Sequence, residues 1–280
     1  MNIINEVENI LKKGGIEEYK KEARILTCEI SGLNIEDIIL DKPIENPKKI
    51  IALAKKRAMD RIPIQHLIGY SFFMGEKYKV DKNVLIPRDE TELLVLKAYE
   101  LLKNREDKIN ILDIGTGTGC IACALAKKLA DKNIEILGVD ISSDALIVAL
   151  ENINNLNLER KVIVRKSDLF SKIRPQEKFD LIISNPPYIP VKEKNNLQFE
   201  VKNFEPELAL FAQDDLGIEF YKKIILNSPK FLKFDGFLAF EAGFNQAQEI
   251  KNLLKKDFKD IEITPDLAGI ERVICAKINN

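Results

Sequence analysis

From residue 109 onward, the chain alternates short apolar runs with stretches of helical periodicity. Five runs have the length and composition of buried strands: residues 109–114, 135–140, 162–165, 179–184 and 236–241. Strands separated by helices predict an α/β fold with a mostly parallel, doubly wound sheet that binds ligands beyond the carboxyl ends of its strands. No long helix separates residues 261–263 from 272–276, so we expect this terminal pair to form an antiparallel hairpin.

The beginning of the chain carries helical periodicity instead. Residues 2–13 and 17–31 each place apolar side chains on one helical face, and a glycine follows each segment. Asn34 is a predicted cap of a short third helix. Asn46 and Pro47 are the predicted cap and first residue of a fourth helix that reaches residue 60. These elements predict a small N-terminal helical bundle.

Three parts follow from this pattern. We expect residues 1–68 to form the helical bundle, which either only packs on the rest of the chain or positions a macromolecular substrate. The partly alternating residues 69–88 predict a β-hairpin linker, and residues 89–280 form the predicted α/β domain. Within that domain, the polar, lysine-rich residues 191–203 are a predicted mobile lid.

The first strand of the predicted sheet leads into a glycine loop and then a helix, as in a nucleotide-binding βαβ unit. The loop consists of Gly115, Thr116, Gly117, Thr118 and Gly119. A dinucleotide fingerprint needs a glycine at position 120, where this chain has Cys120. Asp113 precedes the loop, and its carboxylate would repel a pyrophosphate but attract an ammonium group.

Acids also stand at the ends of the next two strands. Asp140 is placed to bind both hydroxyls of a ribose, and Asp168 beside the apolar Leu169 is placed to bind the amino edge of an adenine. A ribose, an adenine and an ammonium group without a phosphate together describe S-adenosylmethionine (SAM). The sequence therefore predicts a SAM site across these strand ends.

The fourth strand ends in the tetrapeptide Asn185, Pro186, Pro187 and Tyr188. The prolines fix their own backbone angles, so the carbonyl of Pro186 lies in a stiff loop. The side chain of Asn185 adds a second acceptor, and Tyr188 adds a flat aromatic face. Two fixed acceptors beside an aromatic ring suit the –NH2 group of an amide or a base. We therefore predict direct methyl transfer from the sulfonium of SAM to nitrogen, with Asn185 also bordering the cofactor.

The loop from Asp113 to Gly119, the acids Asp140 and Asp168 and the tetrapeptide resemble class I SAM-dependent methyltransferases with a Rossmann-like fold. Among these, the chain most resembles the bacterial release factor glutamine methyltransferases, the HemK or PrmC family. Further similar segments lie at residues 84–92, 204–210 and 266–272. The resemblance implies N5-methylation of the glutamine in the Gly-Gly-Gln motif of peptide chain release factors during translation termination, with S-adenosylhomocysteine as product. It also favours a substrate-positioning role for the N-terminal bundle, and we expect the protein to be a cytoplasmic monomer.

Composition limits the alternatives. The 43 basic residues balance 44 acidic ones, so no excess charge indicates a nucleic acid partner or an anionic membrane. The start of the chain has neither the cationic nor the apolar region of a signal peptide. His66 is the sole histidine, so we expect no metal site, and we expect Cys120 and Cys123 to pack rather than react.

Two other classes stay open. The same tetrapeptide can serve N6-adenine methylation of DNA or RNA, although that function favours a basic groove, which the balanced charge does not indicate. A non-enzymatic SAM-binding scaffold would not need Asn185 at a strand end facing the cofactor.

Overall fold

The protein is described by a computed structural model that covers residues 3–40 and 42–279. It divides into two compact units. The first runs to Tyr70 and also contains Gln198–Phe204, and the second contains Ser71–Leu197 and the chain from Glu205. The linker hairpin thus groups almost entirely with the second unit, and the predicted three-part division stays a prediction. Asn2, which we included in the first predicted helix, lies outside the described residues.

The described residues form helices and strands that alternate as predicted. The helices are α1 Ile3–Lys13, α2 Tyr19–Ser31, α3 Ile35–Ile39, α4 Pro47–Asp60, α5 Ile64–Ile68, α6 Thr91–Leu102, α7 Cys120–Lys128, α8 Ser143–Asn155, α9 Phe199–Phe204, α10 Glu207–Leu210, α11 Glu219–Asn227 and α12 Ala247–Leu254. The strands are β1 Tyr70–Phe73, β2 Glu76–Lys79, β3 Ile109–Ile114, β4 Ile134–Asp140, β5 Val162–Lys166, β6 Phe179–Ser184, β7 Ile189–Pro190, β8 Phe211–Ala212, β9 Leu232–Glu241, β10 Phe258–Pro265 and β11 Glu271–Ile278. Short 3-10 turns cover Val191–Asn196 and Ser228–Lys230.

The first unit is a helical bundle with its own apolar core. Val7 and Leu11 of α1, Leu26 of α2 and Ile50 of α4 are fully buried in that core. Gly32 ends α2 in the left-handed conformation, at φ 71°, as its position after the second predicted helix indicated. The short helix α5 was not predicted, because five residues show too little periodicity.

The two predicted asparagine caps behave differently. Asn34 caps α3 in a capping box, in which its side-chain oxygen accepts the N–H of Asp37 at 2.8 Å. Asn46 precedes α4 and its Pro47, but its side chain makes no capping bond. Its backbone is left-handed, at φ 54°, and this conformation differs from the extended one in which an N-cap side chain reaches the first turn. The predicted side-chain cap at Asn46 is therefore wrong.

A buried ion-pair cluster attaches α9 to the first unit. The guanidinium of Arg57 donates to both carboxylate oxygens of Glu22, at 2.7 and 2.9 Å, and to Glu200 at 2.9 Å. Arg61 pairs with the same Glu200 oxygen at 2.7 Å. Because Arg57 is only 7% exposed, these carboxylates compensate a charge that would be costly to bury alone. The predicted lid, residues 191–203, consists largely of a 3-10 turn and most of α9. Its mobility stays a prediction.

The second unit contains a seven-stranded sheet among the described residues, in the order β10-β11-β9-β6-β3-β4-β5. The neighbouring strands β9, β6, β3, β4 and β5 are all parallel, whereas β11 runs antiparallel to both β9 and β10. Two apolar clusters cover the two faces, and adjacent residues such as Ile111 and Leu112 belong to opposite clusters. The predicted doubly wound α/β sheet with its terminal antiparallel hairpin is confirmed.

The linker hairpin is shorter than predicted. Strands β1 and β2 pair through a turn in which Met74 and Gly75 have φ angles of 51° and 80°, as a tight two-residue hairpin requires. Strand β2 ends at Lys79. Asp81 then accepts the N–H of Asn83 at 2.8 Å, which forms a local turn instead of further strand pairing. Residues 80–88 are therefore a loop, which leads toward the carboxyl edge of the sheet.

The two asparagines provide a matched test of these helix starts. We expect Asn34→Ala to lower the free energy of unfolding by about 1 kcal/mol, because the first-turn N–H of α3 loses its acceptor. We expect Asn46→Gly to change it by less than about 0.5 kcal/mol, because glycine adopts the left-handed conformation at no steric cost. Urea denaturation monitored by circular dichroism measures both, and equal losses would contradict the assignment.

Candidate active site

A pocket lies at the carboxyl ends of four adjacent strands. Ile114 at the end of β3 lies opposite Val139 of β4 and Ser184 of β6, so the residues that follow reach the same level. With strands roughly 4.8 Å apart, the edge from β6 to β5 spans roughly 14 Å, enough for an extended nucleoside. Eight predicted site residues line this pocket: Gly115, Gly117, Asp140, Asp168, Leu169, Asn185, Pro186 and Pro187.

The glycine loop leaves open space above its backbone. Gly115 has φ 73° and Gly117 has φ 53°, which is the left-handed region that favours glycine. A Cβ atom on Gly115 would meet nothing within 4 Å, so the pocket reaches the loop backbone here. The carboxylate of Asp140 accepts the N–H of Gly117 at 3.0 Å and that of Ser142 at 2.9 Å. Each oxygen keeps a lone pair for a hydroxyl of a ligand.

Asp113 lies beneath the loop and does not line the pocket. It is fully buried, and its Oδ2 accepts the hydroxyl of Thr116 at 2.6 Å. Burial raises the pKa of Asp113 to about 7, partly opposed by this hydrogen bond. The structure thus shows Asp113 and Thr116 supporting the loop from below, and the predicted contact of Asp113 with an ammonium group stays a prediction.

Thr118 and Gly119 shape the start of α7. The carbonyl of Thr118 accepts the side-chain N–H of Asn152 at 2.9 Å, and Gly119 precedes α7 at φ 76°. Neither residue lines the pocket. The next turn contains Cys120 and Cys123, which are buried free thiols whose pKa values are raised by burial. A raised pKa keeps both thiols protonated and favours packing over nucleophilic chemistry.

The end of β5 presents one acid and one apolar side chain. Asp168 is exposed, and its carboxylate has no hydrogen-bond partner within the described part of the chain. Leu169 has φ 46°, an unfavourable angle for a branched side chain. The hydroxyl of buried Ser167 donates to the carbonyl of Leu169 at 2.8 Å and holds this conformation. An acid beside an apolar wall suits the amino edge and the face of an adenine.

Asn185 is held by two residues that the sequence prediction missed. Its Nδ2 donates to the hydroxyl of Thr91 at 3.2 Å, and that hydroxyl donates to the carboxylate of Glu241 at 2.5 Å. Thr91 begins α6 and Glu241 ends β9. The only sequence signal for Glu241 was an acid at the end of a predicted buried strand, which is the position of the other site acids.

Tyr188 does not line the pocket. Its ring packs against Gly243, where a Cβ would come within 2.8 Å of the ring. Its carbonyl accepts the side-chain N–H of Gln246 at 2.9 Å, and Gln246 also binds the carbonyl of Leu216. Burial raises the pKa of Tyr188 to about 12. The residue therefore anchors the end of the tetrapeptide, and the predicted aromatic face toward the substrate stays a prediction.

Residues 3–40 and 42–279 contain neither a candidate metal site nor a candidate membrane-spanning helix. Within these ranges, histidine, cysteine and acidic side chains form no group of three or more that could hold a metal ion. Their helices also include none with the length and apolar character needed to span a membrane.

Residues 90–202 match the family described as the Methyltransferase small domain, and residues 2–69 match the PrmC N-terminal domain. The crystal structure of the hMettl16 catalytic domain in complex with a MAT2A 3'UTR hairpin superimposes with a TM-score of 0.59 at 17% identity. This similarity covers 83% of this chain and 81% of that one. The fold and the site at its strand ends define an α/β, Rossmann-like methyltransferase.

Two relatives specify the family. The Release factor glutamine methyltransferase of Fusobacterium nucleatum subsp. nucleatum is 37% identical over 282 residues, which cover 99% of this chain and 78% of that protein. The Release factor glutamine methyltransferase of Bacteroides thetaiotaomicron is 34% identical over 270 residues, which cover 93% of each. The chain belongs to the release factor glutamine methyltransferase family.

Asp113→Asn tests the raised pKa of the carboxyl beneath the loop. The folded protein keeps this proton up to a pH of about 7, whereas the unfolded chain releases it near 3.8. The folded state therefore binds more protons in this window, and the wild-type free energy of unfolding falls as the pH rises through it. Asparagine has no such proton. We expect the difference, wild type minus variant, to fall by roughly 2–4 kcal/mol across the window. Parallel pH profiles in urea denaturation would contradict the raised pKa.

Proposed function

We propose that this protein transfers the methyl group of SAM to the N5 nitrogen of the glutamine in the Gly-Gly-Gln motif of peptide chain release factors. The observation that carries the proposal is the position of Asn185 and Pro186 in the pocket, level with the glycine loop and Asp140. Membership of the release factor glutamine methyltransferase family supports the choice of a glutamine amide.

The pocket fits the nucleoside of SAM by its chemistry. Asp140 accepts ribose hydroxyls, Asp168 accepts the adenine amino group, and Leu169 packs against the base. Open space over Gly115 leaves room for the part of the ligand that lies closest to the backbone. When bound, SAM supplies an electrophilic methyl group on its sulfonium.

The acceptors of the tetrapeptide orient the substrate. An amide nitrogen is a poor nucleophile, because its lone pair is delocalised into the carbonyl. The Oδ1 of Asn185 and the carbonyl of Pro186 accept its two hydrogens and direct the lone pair toward the methyl group. Orientation of this kind can supply roughly 7–11 kcal/mol. Both acceptors also favour the positive charge that develops on nitrogen during transfer.

The proton lost from nitrogen passes to solvent rather than to a nearby base. Asp140 and Asp168 are the titratable side chains among the described residues that line the pocket. Asp140 ends β4 and Asp168 follows β5, and these strands lie two and three positions from β6, roughly 10 and 14 Å away. Neither carboxylate is therefore adjacent to the Asn185 acceptor.

The partner is a protein, and the enzyme acts as a monomer in the cytoplasm at translation termination. Balanced charge supports a protein substrate over DNA or RNA, because nucleic acid binding depends on contacts from basic side chains to phosphates. The N-terminal bundle has an apolar core of its own, distinct from that of the sheet, and this supports a role in holding a macromolecular substrate.

Methyl transfer from labelled SAM tests the proposal directly. The full chain is incubated in parallel with a release factor, duplex DNA and RNA, and mass spectrometry locates the label. We expect the label on the side chain of the Gly-Gly-Gln glutamine and none on nucleic acid. Label on adenine would establish the alternative function, and label on no substrate would favour a non-enzymatic scaffold.

Asn185→Ala separates transfer from cofactor binding. We expect the variant to bind SAM with unchanged affinity and to lose methyl transfer by at least about 100-fold, because one of two orienting acceptors is absent. Isothermal calorimetry measures binding, and the labelled assay measures transfer. Asn155→Ala, on the exposed face of α8, is the control and should match wild type. Full activity of Asn185→Ala would refute the role of this residue.

Asp140→Ala tests the ribose contact. We expect the dissociation constant for SAM to rise about 10- to 100-fold, because two ligand hydroxyls lose a charged acceptor and the N–H of Gly117 loses its partner. Asp144→Ala, an exposed acid in the first turn of α8, is the matched control. Equal affinities of the two variants would show that Asp140 does not bind the cofactor.

A further inference from the structure

A chain of hydrogen bonds leads from the pocket into the core. It joins Asn185, Thr91 and Glu241, which are contributed by the loop after β6, the start of α6 and the end of β9. Asn185 lines the pocket, whereas Thr91 and Glu241 are 3% and 2% exposed and do not line it. The two inner residues therefore reach the pocket only through the Asn185 side chain.

The chemistry of the three groups fixes which of them donates and which accepts in each hydrogen bond. A carboxylate only accepts hydrogen bonds, so the single hydroxyl hydrogen of Thr91 points to Glu241. The oxygen of Thr91 can then only accept, and it takes an N–H of the Asn185 amide at 3.2 Å. The NH2 end of that amide is thereby held inward, and Oδ1 is the end left for the substrate. In a flipped amide, Oδ1 would face another acceptor and NH2 would face the donors of the substrate.

We propose that Thr91 and Glu241 are positioning residues that fix the orientation of the Asn185 amide, so that its acceptor end faces the nitrogen to be methylated. This inference rests on the proposed function, because it assigns the orientation that a substrate –NH2 group requires. Neither residue touches the substrate or the cofactor.

The surroundings of Glu241 hold its backbone in place. Its backbone carbonyl accepts the hydroxyl of fully buried Tyr221 at 2.9 Å, and its own strand is buried around it. The charged and titratable groups that face it from the packed elements are Glu90 before α6, Cys120 of α7, Tyr188 after β6, Tyr221 of α11 and Arg272 of β11. Burial raises the pKa of Glu241 to about 7, opposed by the Thr91 hydrogen bond, by Arg272 and by the Asn185 side chain, which also interacts with this carboxylate directly.

Protonation of Glu241 means that the donor and the acceptor in these two hydrogen bonds are no longer fixed. A protonated carboxyl can donate to Thr91, whose own hydrogen is then free to point at Asn185. Both orientations of the amide become possible, and the fraction of correctly oriented enzyme falls. Activity should therefore decrease as the pH falls through the pKa of Glu241, and this decrease should depend on the carboxyl at position 241.

Thr91→Val and Thr91→Ser test the positioning role with the release factor as substrate. Valine keeps the volume and removes the hydroxyl, so we expect kcat to fall roughly 10- to 100-fold, with the KM for the release factor and the affinity for SAM unchanged. Serine restores the hydroxyl and should restore kcat. Thr27→Val, at a fully buried threonine of the first unit, is the matched control for losing a buried hydroxyl. A Thr91→Val enzyme with wild-type kcat, or a serine variant as slow as the valine one, would overturn the inference.

Glu241→Gln provides a second test that does not depend on the folding of Thr91→Val. A glutamine amide does not titrate and, like a protonated carboxyl, can donate to Thr91, so this variant should have at every pH the reduced kcat that the wild type reaches at low pH. An unchanged pH profile would overturn the inference. Wild-type protein that methylates no glutamine would instead refute the proposed function, so the two failures are distinguishable.

Discussion

The parallel pairing of β3 with both β4 and β6 is the constraint on which the site depends. Because the register places Ile114 level with Val139 and Ser184, the residues that follow these three strands meet at one edge. No single segment supplies the pocket, and separate segments contribute the glycine loop, the acids and the tetrapeptide. The apolar clusters on both faces hold the strands in this register, so the packing of the core determines the geometry of the site.

Two buried acids act beneath the pocket rather than in it. Asp113 supports the glycine loop through Thr116, and Glu241 supports Asn185 through Thr91. In each case a threonine hydroxyl transmits the position of a carboxylate to a group at the pocket. Burial raises both pKa values to about 7, because a charged carboxylate is costly to keep in the protein interior, away from water.

Most of the fold was predictable because strands and helices leave local periodicities, and a glycine loop after a strand specifies which edge binds ligands. Contacts between distant segments leave no such pattern, so the pairing of Thr91 with Glu241, 150 residues apart, was not predicted. The burial of Asp113 was predictable in principle. Alternation places it on the same strand face as Ile111, which packs in the core beneath α6 and α7. At Asn46 the composition suggested a cap, but the backbone conformation that decides capping depends on the surrounding fold.

The insertion of α9 into the first unit has a topological consequence. The chain passes between the two units near Tyr70, again before Gln198 and a third time after Phe204, so three covalent connections join them instead of one. A chain shortened to begin at Ser71 would keep Glu200 but lose Arg57 and Arg61, its basic partners. The helical bundle is therefore completed by a segment that follows the tetrapeptide in sequence, and more than one linker connects it to the unit that contains the sheet.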